Sequence, residues 1–154
     1  MKHAYSFLIA GTLALLMSGC GTKPSGPQTS ALPTAAAEAQ LIVYCPEEQL
    51  PSIRSACEQF AAESEDPCTV HVLAESLDTV VMTVLTDPAN AADVFVCRDE
   101  DHMQLIEGGF LLETENGSYG YELSENEWAA VNAAGSSPEA AVRLARTIAE
   151  KQAE

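Results

Sequence analysis

Thr86-Asp87-Pro88-Ala89-Asn90-Ala91-Ala92-Asp93-Val94-Phe95-Val96-Cys97-Arg98-Asp99-Glu100-Asp101 is the stretch that decides the fold. Pro88 has no amide hydrogen and biases Asp87 away from helical angles, so a helix arriving from the N-terminal side stops here. A turn of small residues follows. Asp93 to Cys97 then reads as a short strand, apolar on both faces and therefore buried on both. It ends in Arg98, Asp99, Glu100 and Asp101. In an open parallel sheet, ligands bind just beyond the carboxyl ends of the strands, which makes this charged tetrad a candidate site.

The residues upstream have the same organisation. Leu41-Ile42-Val43-Tyr44-Cys45 is a first strand, stopped by Pro46. Glu47 and Glu48 suit the first turn of a helix through charge–dipole attraction. That helix is predicted over Gln49 to Ser64, with Leu50, Ile53, Cys57, Phe60 and Ala61 on one face and Pro51 near its start. Cys68 to Leu73 is a second strand, in which His71 is expected to pack. Ser76 caps a helix that carries Leu77, Val80, Val81, Val84 and Leu85.

After the third strand, Glu100 or Asp101 opens a short helix with Met103, Leu105 and Ile106, closed by Gly108-Gly109. His102 is expected on its exposed side. Phe110 to Leu112 is a brief extended piece. Tyr119 to Leu123 reads as an edge strand pairing back, and Trp128 to Ala133 as a weaker strand. Ser136-Ser137-Pro138-Glu139 starts the last helix, with Ser capping and Pro early; it packs through Val142, Ala145, Ile148 and Ala149.

Strands alternating with helices imply right-handed crossovers and a parallel sheet. The expected architecture is a three-layer α/β lobe: a mixed sheet whose parallel core has the order 2-1-3, joined by a returning strand. Strands one and three then lie side by side. That places Cys45-Pro46-Glu47-Glu48 next to Cys97-Arg98-Asp99-Glu100, and admits a Cys45–Cys97 bridge with Cys57–Cys68 as its companion. The other reading of these four cysteines is that they are buried and structural.

The length of 154 residues fits one domain. Residues 1–19 have the shape of a secretory signal: a basic start, an apolar run from Phe7 to Met17 too short to span a bilayer, and small residues before Cys20. Leu16-Met17-Ser18-Gly19-Cys20 resembles the bacterial lipobox, which implies that Cys20 carries a lipid anchor. Residues 20–40 read as a flexible linker rich in Gly, Pro, Ser, Thr and Ala. The lobe is expected over 41–154, with 41–112 as its βαβαβα core and 119–154 as the returning strand and terminal helix.

Twenty-three acids face seven bases, a net charge of −16; removing Lys2 with the signal makes the balance more acidic still. Such a charge argues against nucleic acid as a partner. No cysteine pair has CxxC spacing, so the usual signatures of zinc and of thioredoxin-type redox chemistry are missing. There is no P-loop, GxGxxG or GxSxG motif, and no cofactor or metal is expected. A glycoside hydrolase would need two carboxyls held about 5–10 Å apart; nothing in the sequence sets such a pair apart from ordinary surface acids. The expectation is a binding protein and not an enzyme.

Several segments in this order resemble the extracellular solute-binding lipoproteins of ABC importers, in the maltose/maltodextrin-binding branch. They are the lipoprotein signal and linker, then Leu41 to Glu48, then Val84-Leu85-Thr86-Asp87-Pro88 through Asp93-Val94-Phe95. Gln104-Leu105-Ile106-Glu107-Gly108-Gly109-Phe110-Leu111 is similar to the family's helix leading to a short strand. Trp128 to Ala133, followed by Ser137-Pro138-Glu139-Ala140-Ala141, is similar to the segment returning to the first lobe. Here Leu112 leads to that segment through a short turn, so the family's second lobe has no counterpart between them.

The resemblance implies an oligosaccharide ligand, permease subunits of an importer as partners, and a lipid-anchored location on the extracytoplasmic face of the cell membrane. It also implies a sugar-facing edge made of Glu47 and Glu48 after strand one, and Cys97, Arg98, Asp99, Glu100 and Asp101 after strand three. Carboxylates and a guanidinium suit sugar hydroxyls through charge-assisted hydrogen bonds. Tyr44 is the nearest aromatic candidate, and Trp128 is the only Trp, suited to packing or to a platform.

Overall fold

A computed structural model describes residues 38–154. The expected signal, Cys20 and most of the expected linker lie outside the described residues. Among the described residues, five strands form one sheet: β1 (Ala39–Cys45), β2 (Cys68–Ala74), β3 (Val94–Arg98), β4 (Gly120–Ser124) and β5 (Glu127–Val131). Four helices connect or cover them: α1 (Leu50–Glu63), α2 (Leu77–Thr86), α3 (Asp99–Glu107) and α4 (Pro138–Gln152). The strand order is β2-β1-β3-β5-β4. β1 pairs in parallel with both β2 and β3. β5 returns antiparallel to β3, and β4 antiparallel to β5. The mixed α/β sheet and its 2-1-3 parallel core are as expected.

The elements form for local reasons. The Ser76 hydroxyl accepts the Thr79 amide at 3.2 Å, capping α2. α2 ends at Thr86, ahead of Pro88. β1 starts at Ala39 and not Leu41, because Ala39 and Gln40 pair with Cys68 and Thr69. α4 has Pro early, as expected, but Ser137 makes no side-chain cap bond.

Period-two alternation along the strands divides the core into two layers. Leu41, Val43 and Cys45 of β1 and Val94 and Val96 of β3 meet Ile53, Cys57 and Phe60 of α1 and Leu144, Ala145 and Ile148 of α4. On the opposite face, Phe95 and Cys97 of β3 meet Val80, Val81 and Val84 of α2 and Leu105 of α3. β3 is buried on both faces from Val94 to Cys97, as its composition predicts.

Asp93 stitches the sheet together. Its carboxylate accepts the Ile42 amide at 2.8 Å and the Ser136 amide at 3.3 Å. Its own amide donates to the Ile42 carbonyl and its carbonyl accepts the Asn132 amide, both at 2.9 Å. The buried Asn132 side chain donates to the Pro88 and Ala92 carbonyls and accepts the Ala134 amide. One acid and one amide thus tie β1, β3 and the segment leading into α4.

All four cysteines of the described residues are free thiols; neither of the two possible bridges is formed. Register explains the first. Val43 is level with Val94 and Tyr44 with Phe95, so Cys45 is level with Val96. Cys97 is one residue further and faces the opposite layer. Cys57 shares a groove with Val70 and Val72, two and four residues past Cys68 on β2.

Two histidines also depart from expectation. His71 is exposed: β2 is an edge strand, its Val70 and Val72 pack in the first layer, and the second layer does not extend to it. His102 is 3% exposed, turned inward beneath α3.

Candidate functional site

Order 2-1-3 puts the carboxyl ends of three parallel strands side by side. Pro46, Glu47 and Glu48 follow β1, Glu75 and Ser76 follow β2, and Arg98 closes β3. These residues, with Ala74 and Leu77, line a cleft of about 420 Å³. Glu47 and Glu48 form a short 3-10 turn before α1, and both are exposed. Of the residues singled out from the sequence, Glu47, Glu48 and Arg98 come together here.

The remaining candidates take other positions. Asp99, Glu100 and Asp101 are the first turn of α3, where their charge offsets unsatisfied amides. Glu100 points to solvent. Asp99 accepts the Trp128 indole N–H at 3.0 Å, and the Asp99 amide donates to the Asn126 carbonyl at 3.0 Å. Asp101 Oδ2 is buried without a hydrogen-bond partner and lies 3.8 Å from Arg98 Nη1, too long for a bond. Burial raises the Asp101 carboxyl above its ordinary value, with Arg98 opposing that rise. Tyr44 is half-buried in the layer between the sheet and α2; it does not line the cleft.

Arg98 is already engaged. Its Nη1 lies 2.8 Å from Asp78 Oδ1, in the first turn of α2. The guanidinium therefore bridges the end of β3 to α2 and forms one wall of the cleft. Separately, the Gln49 side-chain amide donates to Glu127 Oε2 at 2.8 Å, joining the start of α1 to β5.

Trp128 is a packed anchor. Its ring stacks on His102 with centroids 4.3 Å apart and planes 6° from parallel. His102 Nε2 lies 3.1 Å from the Tyr119 carbonyl. A carbonyl only accepts, so this nitrogen carries the proton.

Sequence reasoning missed Glu75, Ser76, Asp78, Gln49 and Glu127. The signal for Glu75 and Ser76 was present: the strand-end rule applied to β1 and β3 holds equally for β2. The Asp78, Gln49 and Glu127 partnerships have no sequence signal, because each depends on how helix and strand ends meet.

A larger groove of about 450 Å³ lies between the end of α1 and the start of α4, lined by Phe60, Pro67, Pro138 and Arg143. It sits at the opposite ends of the strands. Among the described residues, no group of three or more His, Cys, Asp or Glu side chains is placed to hold a metal ion.

No protein-family model matches the sequence, and no curated protein does. Solved structures do show likeness. The maltose-binding periplasmic protein MalE of Listeria monocytogenes, in complex with maltose, is 18% identical with a TM-score of 0.46; the match covers 51% of this chain and 20% of that one. MalX of Streptococcus pneumoniae, in complex with maltopentaose, is 19% identical with a TM-score of 0.43, over 49% of this chain and 20% of that one. The maltodextrin-binding protein MalE1 of L. casei, without ligand, is 21% identical with a TM-score of 0.41, over 51% and 21%. The matched part of this chain thus spans about a fifth of each of these proteins.

Proposed function

We propose that this chain is a sugar-binding lobe, exported and held on the extracytoplasmic face of the cell membrane by a lipid on Cys20, that presents an oligosaccharide of the maltodextrin type to an ABC importer. The ordering of motifs from Leu41 to Ala141 supports this reading. The single observation behind it is the cleft, where Glu47, Glu48 and Arg98 meet at the carboxyl ends of the parallel strands. Carboxylates accept from sugar hydroxyls and the guanidinium donates to them.

The test is a titration of residues 38–154 with maltose, maltotriose and longer dextrins, read by melting temperature and Trp128 fluorescence. A ligand that binds only the folded state raises the melting temperature by mass action. We expect a saturable rise, lost in Glu48→Ala/Arg98→Ala while the melt stays cooperative.

One observation favours a second reading. Only seven residues, Glu113 to Tyr119, separate Leu112 from β4, and they close on themselves. The Thr114 amide donates to the Ser118 carbonyl at 2.7 Å, the Thr114 hydroxyl donates to the same carbonyl, and Gly117 turns with φ +78°. A lobe finished in this way fits a protein-interaction role without transport. A cooperative melt unmoved by every sugar selects that reading.

A further inference from the structure

β2 is an outermost strand of the sheet, and no strand among the described residues pairs with its outer edge. Its seven residues, Cys68-Thr69-Val70-His71-Val72-Leu73-Ala74, include no charge, no proline and no bulge. Edge strands are ordinarily blunted by one of these devices. The contrast is sharp in a chain with a net charge of −16.

The backbone shows which groups are free. The Pro67 carbonyl accepts from Ala39, and the Glu75 amide donates to Cys45. In a parallel ladder residues alternate in the neighbour they address, so 67, 69, 71, 73 and 75 face β1. Cys68, Val70, Val72 and Ala74 turn their N–H and C=O groups outward.

We propose that this edge pairs with the same edge of a second copy, antiparallel about a two-fold axis at His71. That register sets Val70 opposite Val72 of the other copy, Cys68 opposite Ala74, and Leu73 opposite Thr69. Every outward N–H and C=O then meets a partner, and each face keeps its character. Leu73, 49% exposed, is covered.

Charge also favours a second copy as the occupant. Beside this edge, Arg54 and Glu58 of α1 stand one turn apart along a groove floored by Val70 and Val72. Among the described residues, Arg98, Arg146 and Lys151 have ion-pair partners, whereas Arg54 and Arg143 have none; of these two, Arg54 stands beside the β2 edge. The two-fold directs Arg54 of each copy toward Glu58 of the other. The opposing cost is at the strand ends, where Glu75 approaches Asp66 of the other copy.

The experiment is light scattering on residues 38–154, in which both core layers are closed, over about a hundredfold concentration range. We expect a concentration-dependent doubling of mass. Val72→Pro removes an outward amide that β1 does not use; it should give a monomer with an unchanged far-ultraviolet spectrum. Arg54→Glu should weaken the dimer, and Arg54→Glu/Glu58→Arg should restore it. In a Cys68→Ala background, His71→Cys should cross-link on oxidation and Leu73→Cys should not, because only residue 71 meets its own copy. A monomer at every concentration overturns the proposal. So does a dimer that Val72→Pro leaves intact, or one that Leu73→Cys locks as readily as His71→Cys.

Discussion

Asp101 shows how one side chain can serve position at a cost in stability. Its oxygen Oδ2 is buried without a hydrogen bond, and burial raises its carboxyl above the ordinary 3.8. A carboxyl raised on folding binds its proton more tightly in the native state, so ionising it near pH 7 costs folding energy; that cost disappears as pH falls toward 4. Asp101→Asn is therefore expected to raise the melting temperature by about 1–3 °C at pH 7 and by little at pH 4, as read by calorimetry at both values. Asp99 differs from it only in place. At the start of α3 it holds the Trp128 indole N–H, a role that its charge pattern in the sequence does not separate from helix capping.

At the scale of elements, the stop at Pro88, the buried β3 and the Ser76 cap all follow from local chemistry. The join between elements rests on Asp93, whose carboxylate serves amides on β1 and on the segment entering α4. Removing it leaves two part-buried N–H groups without that acceptor. Asp93→Ala is expected to destabilise the fold by about 2–4 kcal/mol, measured by urea denaturation with an unchanged slope. His71 and Trp128 mark where element-level reading stops. A histidine in the middle of a strand packs or not according to which strand is outermost. The half-buried Trp128 indole is fixed by a ring on α3, 26 residues earlier in the chain.

At the scale of the molecule, the two core layers govern the thiols. Burial pushes Cys45 up to about 11 and Cys57 and Cys97 up to about 12, while Cys68 is raised and only half-buried. In the native protein at pH 8, iodoacetamide is expected to label Cys68 first and to reach the other three only on unfolding, as read by mass spectrometry. Above pH 9 the unfolded chain releases thiol protons that the native state retains. Stability from these groups is complete below pH 9 and is lost as pH rises toward 12, so the melting temperature should fall through that window. The sequence by itself determined the alternation of strands and helices, the parallel core and the strand ends at which a cleft forms, because periodicity, Pro and Gly act within a few residues. Only the tertiary structure decided that the acids after β3 turn away from that cleft into the first turn of α3, that Arg98 is tied to Asp78, and that Cys45 and Cys97 face opposite layers. Those outcomes rest on register and on the meeting of chain ends, where a shift of one residue turns a side chain to the other face.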